Sequence, residues 1–369
     1  MPIDLKEDKT LAGRPRLKAT CIKLHDIAQE LGPDAKLPTI AELKATLGVS
    51  VYTLNDAVRE LERRQILRSV NGVGIYVTPH KRTWTGNIGI AGSSAFRRPQ
   101  LEYYHLVQHG IERQAAQHGQ HLLFLGTEAT WDPQCCGKID GLLAIGADKV
   151  QEFLRMVPPD VPVVTVFTAT PNVPGIVVDD YQGGQLAVEY LCSLQHQRIA
   201  CLMEELPTLS RLRLNGYKDA LAANDIAVKP EWMRLTPSVG ITQEERPYLQ
   251  WGRRQMQEWL FQGWHETRCT AIFVQNETAA IGVMQVLQEA GIDVPGEVSV
   301  IGFDGTPLCD YVAPRLCAVE IPLVEMGAKA MELLNQQIEN PAAPVQTVVM
   351  PLRIREGNSV APPPQINKP

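Results

Sequence analysis

The sequence predicts an α/β protein in two parts, a winged helix-turn-helix head followed by a two-lobed body of Rossmann-like parallel sheets. Three observations carry this expectation. The first 80 residues order as helix, helix, tight turn, helix and hairpin. From residue 87 onward, short apolar runs alternate with helical stripes. The charge divides at the same place: residues 1–82 hold 14 Lys+Arg against 10 Asp+Glu, and the remainder 21 against 31. A head of +4 on a body of −10 suits a chain whose head alone meets phosphate, although chance segregation of surface charge produces the same pattern.

In the head, Leu17, Cys21, Leu24, Ile27, Ala28 and Leu31 form a helical stripe that Gly32-Pro33-Asp34 ends. Thr39 with Glu42 reads as a capping box opening a second helix, which stops at Gly48. Ser50 caps a third helix whose buried face is Leu54, Ala57, Val58 and Leu61. Asn71-Gly72 joins two short apolar runs, 66–70 and 73–77, as a hairpin. In a winged helix the third helix lies in the major groove, so Lys44, Ser50, Tyr52, Thr53, Asn55 and Arg59 are candidate DNA contacts, with Asn71 and Gly72 at the wing tip. Arg63, Arg64 and Arg68 are candidates for phosphate, against the plainer reading of a solvated Arg/Glu helix face.

In the body, strands are predicted at 87–91, 121–125, 141–145, 161–167, 176–179, 198–203, 271–274 and 298–303. Helices are predicted at 101–118, 183–194, 212–224, 250–262, 278–291 and 324–339. Ligands of such sheets sit beyond the carboxyl ends of strands. Asn276 and Asp304 fall there, with an amide and a carboxylate suited to hydroxyl groups, and Arg213 offers a fork of donors. The local alternative is that Asn276 and Asp304 cap the turns that follow them. The expected boundaries are an arm at 1–16, the head at 17–80, a linker at 81–86, the body at 87–357 and a Pro-rich tail at 358–369.

The stretch LPTIAELKATLGVSVYTLNDAVRELERRQILRSVNGVGIYV resembles the GntR-type head over about 40 residues. It departs where that family usually places arginine, here Ala41, Val51 and Asn55. Gly13-Arg14-Pro15-Arg16 is similar to an AT-hook core, the alternative being a flexible basic terminus. In the body, Arg211–Tyr217, Gln275–Gly282 and Val294–Asp304, with Gly183-Gly184, resemble in order the motifs of the LacI-type sensor, a periplasmic-binding-protein-like fold. The resemblance implies Arg213, Asn276 and Asp304 as ligand contacts, and Tyr103 and Tyr104, seven and six residues before Gly110, as a stacking pair. Phe167 stands at a strand end where sugar-binding relatives often carry Asp, adding an apolar wall and removing an acceptor. The head–body pairing is similar to that of arabinose-repressor-type regulators, and the segment between them is too short for a hinge helix.

No apolar run approaches the roughly 20 residues of a membrane span. The polar N-terminus lacks a secretory core, so a cytoplasmic location is expected. The eight cysteines and the histidines show no zinc spacing, and neither a dinucleotide fingerprint, a nucleophile elbow nor HExxH is present. The expectation is a non-enzymatic homodimer, without cofactor or metal, that binds an operator in double-stranded DNA and responds to a small, sugar-like effector. The alternative is a small-molecule binding protein whose head no longer reads DNA.

Overall fold

Proline at the first helical position, where its missing N–H is no loss, starts α1 (Pro15–Leu31). In this computed structural model the described residues are 14–364 apart from 33, 65, 71, 79–83, 93–101, 128–132, 147–149, 206–208 and 238–246. They fall into two units, Met1–Trp84 and Thr85–Pro369.

In the head, α2 (Ile40–Leu47) opens on the capping box. Thr39 Oγ1 accepts from the Glu42 N–H, and the Glu42 carboxylate accepts from the Thr39 N–H at 2.7 Å. Gly48 then turns left-handed, and Ser50 caps α3 (Val51–Arg63). β1 (Leu67–Val70) and β2 (Gly74–Val77) pair antiparallel, and Lys36 bridges to Tyr76 on the outer side. Leu24, Leu43, Leu54 and Leu61 are fully buried among the three helices. Leu61→Ala is expected to cost about 2–5 kcal/mol, read as earlier melting of the head, because a cavity is left among residues that cannot all collapse into it. The sequence places Pro15 and Arg16 in an unstructured arm. They are instead the first turn of α1, so an extended minor-groove strand cannot run through them.

The body has two six-stranded sheets. The N-lobe comprises β3 (Asn87–Gly92), β4 (His121–Thr127), β5 (Gly141–Ile145), β6 (Val163–Val166), β7 (Gly175–Val178) and β13 (Thr347–Met350), in the order β13-β7-β6-β5-β3-β4, all parallel. The C-lobe comprises β8 (Ile199–Glu205), β9 (Met233–Pro237), β10 (Ala271–Val274), β11 (Ser299–Asp304), β12 (Cys317–Glu320) and β14 (Arg353–Arg355). Its order is β14-β12-β11-β10-β8-β9, parallel except for β14 against β12. The two orders match strand for strand, so β6 and β11 hold equivalent positions.

The chain crosses between lobes three times: after β7 into α6 (Asp180–Ser193), after β12 into α11 (Leu323–Glu339), and between β13 and β14. α11 packs on α4 (Glu102–Gln117) of the N-lobe, and α6 on α7 (Leu209–Ala223) of the C-lobe. Both contacts are backbone-close. A Cβ at Gly110 would lie 1.9 Å from the Val324 carbonyl oxygen, and one at Gly216 would lie 2.1 Å from that of Tyr181. The remaining helices are α5 (Val150–Leu154), α8 (Pro247–Gln262), α9 (Trp264–Thr267) and α10 (Glu277–Glu289).

A short 3-10 turn, Pro133–Lys138, stands where the sequence leaves too little room for a helix. Residues expected as a Pro-rich tail are instead part of the C-lobe through Ala361. Ser359 is fully buried, donates to the Val300 carbonyl at 2.6 Å and accepts from the Cys317 N–H, while Ala361 O lies 2.8 Å from His196 Nε2. Among the described residues, no helix is long and apolar enough to cross a membrane, and no group of three His, Cys, Asp or Glu could hold a metal ion.

Candidate effector cleft and nucleic-acid interface

Strand ends build the cleft. β11 terminates on Asp304 and β6 is followed by Phe167, and both residues adopt left-handed backbone (φ 87° and 71°), which side chains other than glycine's rarely accept. Phe167 is therefore the N-lobe counterpart of Asp304, with a ring where the other lobe has a carboxylate.

On the N-lobe side, three aromatic rings meet. Tyr103 stacks on Phe167 with centroids 4.8 Å apart, and Tyr104 stands edge-on to both. Tyr104 reaches the end of β5, where Gly146 leaves space for its hydroxyl. Burial holds the Tyr103 phenol protonated well above its ordinary range, and Asp304 and Asp180 act in the same direction. These influences place Tyr103 beside the charged groups of the C-lobe.

On the C-lobe side, Arg213 is buried and heavily engaged. Its Nε donates to Asp180 Oδ1 at 2.7 Å, its Nη1 donates to the Gln275 carbonyl, and its guanidinium lies 3.6 Å over the Phe303 ring. Burial opposes its charge, but Asp180 and Asp304 outweigh that and raise its pKa. One edge of the guanidinium, Nη2, has no hydrogen bond among the described residues. Burial pushes the Asp304 carboxyl up, Arg213 draws it down, and Asp180 pushes it up again. Glu277, at the start of α10, is also raised by burial and by Asp304, although it accepts from the Thr306 N–H and hydroxyl at 2.6 and 2.5 Å.

Asn276 caps α10, its Oδ1 accepting from the Ala279 N–H at 2.8 Å. The local alternative thus accounts for its oxygen, while its amide NH2 has no partner among the described residues. Sequence reasoning missed two neighbours, and a third, Tyr248, lies in a segment whose register the sequence does not fix. Asp180 pairs with Arg213, and its signal was an acidic residue opening the helix before Gly183-Gly184. Gln275 accepts from the Glu204 N–H at 2.7 Å and returns an N–H to the Glu204 carboxylate at 3.3 Å. Burial raises the Tyr248 phenol, followed by the influence of Glu204, Asp304 and Tyr104, and its ring packs against the C-lobe core. Trp251, three residues further along α8, is buried in the C-lobe core.

In the head, Lys44, Tyr52, Asn55 and Arg59 are exposed, and Tyr52 (77%) is among the most exposed large side chains of the described residues. The Ser50 hydroxyl is committed locally, accepting from the Thr53 N–H at 3.1 Å and lying 2.9 Å from the Thr53 hydroxyl. Gly72 is exposed at φ 73° in the hairpin, and Asn71 lies outside the described residues. The three arginines offered as phosphate candidates are paired: Arg63 and Arg64 with Glu60, and Arg68 with Asp34 at 2.9 Å.

Residues 24–77 match the profile of the bacterial regulatory proteins, gntR family, and residues 188–360 that of the periplasmic binding protein-like domain. The chain is similar to the arabinose metabolism transcriptional repressor of Geobacillus stearothermophilus (27% identity over 354 residues, 90% of this chain and 93% of the relative). It is also similar to the ribose operon repressor of Escherichia coli (27% over 332 residues, 86% and 91%). A solved LacI family transcriptional regulator from Enterococcus faecium, with bound ribose, shares the fold (TM-score 0.61, 24% identity, 75% of this chain and 99% of that one). With a gntR-family head before a periplasmic binding protein-like domain, the chain is a ligand-responsive transcription regulator of the kind that joins a GntR-type head to a LacI-type sensor.

Proposed function

We propose that the protein is a homodimeric repressor whose body binds a sugar derivative with one polar and one apolar face. Its head uses Lys44, Tyr52, Thr53, Asn55 and Arg59, with the Gly72 wing, to hold an operator. The observation that carries the ligand class is the pairing of strand ends: the aromatic group of Tyr103, Tyr104 and Phe167 on one lobe, and Asp304, Arg213 and the Asn276 amide on the other. Carboxylate and amide suit hydroxyl groups, and stacked rings suit an apolar sugar face or an attached planar group. A ligand that bridges the lobes changes DNA affinity only by the difference in its affinity for the two states of the body.

A thermal-shift screen of pentoses, disaccharides, aryl glycosides and nucleosides tests this reading. A compound at 100 times its Kd is expected to stabilise by about 2.7 kcal/mol. It is also expected to alter binding to a duplex from the protein's own promoter region. Ligands that are all sugar acids or phosphates would overturn the class.

A second reading, a ligand-binding protein with a silent head, is favoured by the missing arginines at 41, 51 and 55 and by the ion pairs that occupy Arg63, Arg64 and Arg68. Failure to bind any promoter duplex at low salt, with ligand binding intact, would establish it.

A further inference from the structure

The positive charge missing from α2 and α3 reappears next to them. Arg14 and Arg16 are both exposed, and neither side chain has a hydrogen bond or ion pair among the described residues. With Pro15 and Leu17 they line one wall of an open groove of about 440 Å³, and Tyr52, Thr53 and Asp56 from the first two turns of α3 line the other. The first turn of a recognition helix is the part nearest the base edges. A cation beside that turn, carried on another helix, faces the sugar–phosphate backbone that borders the groove.

We infer that Arg14 and Arg16 form a phosphate clamp for duplex DNA, replacing in charge the arginines absent at Ala41, Val51 and Asn55. The inference rests on the head binding DNA. A guanidinium fork matches phosphate oxygens bidentately. No side chain caps α1, so the N–H groups of its first turn are free of that claim and add partial positive charge at the same place. Asp56 is the one carboxylate on the groove walls. Its oxygen lies 3.9 Å from Arg59 and it is half-buried, so it confines the phosphate to the α1 side. The clamp fits a head in which, among the described residues, Arg14 and Arg16 have no partner while Arg63, Arg64 and Arg68 are tied to Glu60 and Asp34.

The test is fluorescence anisotropy of the full chain with a labelled promoter duplex across a salt series. Each phosphate contact contributes a slope of about 0.9 in log K against log salt. R14A/R16A is expected to flatten the slope by about 1.8 and to weaken binding about tenfold per arginine at 0.1 M salt. R14K/R16K keeps the charge and is expected to retain the slope while losing part of the affinity. R155A, an exposed arginine of the body, is expected to match the wild type. Circular dichroism melting of each variant reports on folding, and a folding defect would lower binding in the lysine and alanine variants alike. If the wild type binds and R14A/R16A keeps both affinity and slope, the clamp is wrong and the DNA-binding reading stands. If the wild type binds no duplex, both fall.

Discussion

Replacing Arg213 with alanine is expected to destabilise the body by about 3–5 kcal/mol, a larger loss than any ligand-contact role would produce. Among the described residues the guanidinium is the sole cation paired with Asp180, which is itself buried, and it lies near Asp304. Its removal leaves two carboxylates uncompensated, strips the Gln275 carbonyl of a donor and uncovers the Phe303 ring. Lysine restores the charge but not the fork that reaches Asp180 and Gln275 together, so R213K is expected to recover only part of the loss. R213A/D180N should recover more, since it removes one stranded charge. Urea denaturation followed by tryptophan fluorescence gives the comparison. A loss below about 1 kcal/mol for R213A would show that water already compensates these carboxylates. In this arrangement Arg213 first assembles the C-lobe wall, and its Nη2, without a hydrogen bond among the described residues, is the edge the proposed ligand would use.

That division of labour was only half legible in the sequence. β5 was read to its true bounds because Gly141–Ile145 is an unbroken buried run closed by Gly146. β13 and β14 were missed because they are short edge strands, alternately or partly exposed, whose partners lie far away in sequence. The third crossing and the matching strand orders were hidden with them, and so was the equivalence of Phe167 and Asp304. Arg213 and Asp304 stood out within motifs. Asp180 and Gln275 did not, since each is brought to its partner by a crossover or a strand end whose register only the packed fold decides, and Tyr248 sits in a segment whose register the sequence leaves open. For Asn276 the sequence offered two roles, and the cap geometry assigns its oxygen to the local one. In the head, the framework residues were plain from helical periodicity. The ion pair between Arg68 and Asp34 was not, as 34 positions separate them.

Asp304→Asn is expected to separate stability from sensing, with opposite signs. Burial and Asp180 raise the Asp304 carboxyl against the pull of Arg213, and Asp304 in turn helps raise Glu277. A carboxyl raised on folding binds its proton more tightly in the native state. The native form therefore holds more protons than the unfolded chain once pH exceeds about 4, the ordinary carboxylate value. Stability is then full below that point and is lost as pH rises toward neutrality through the raised values. Asparagine keeps the shape, removes the charge and leaves Arg213 balanced by Asp180. The variant should melt later than the wild type at pH 8, by an amount equivalent to about 1–2 kcal/mol, and should show a flatter pH profile between about pH 4 and 7. Binding runs the other way. A ligand hydroxyl donating to the carboxylate favours the ionised form, so wild-type affinity should rise with pH across the same window and binding should release protons. An asparagine offers one acceptor where the carboxylate offers two oxygens, so the ligand-induced melting shift should be lost in the variant. Thermal melts with and without ligand at pH 5 and pH 8 measure both effects. A variant that melts earlier than the wild type at pH 8 would mean that Arg213 needs both carboxylates, and an unchanged ligand shift would move the binding site away from the end of β11.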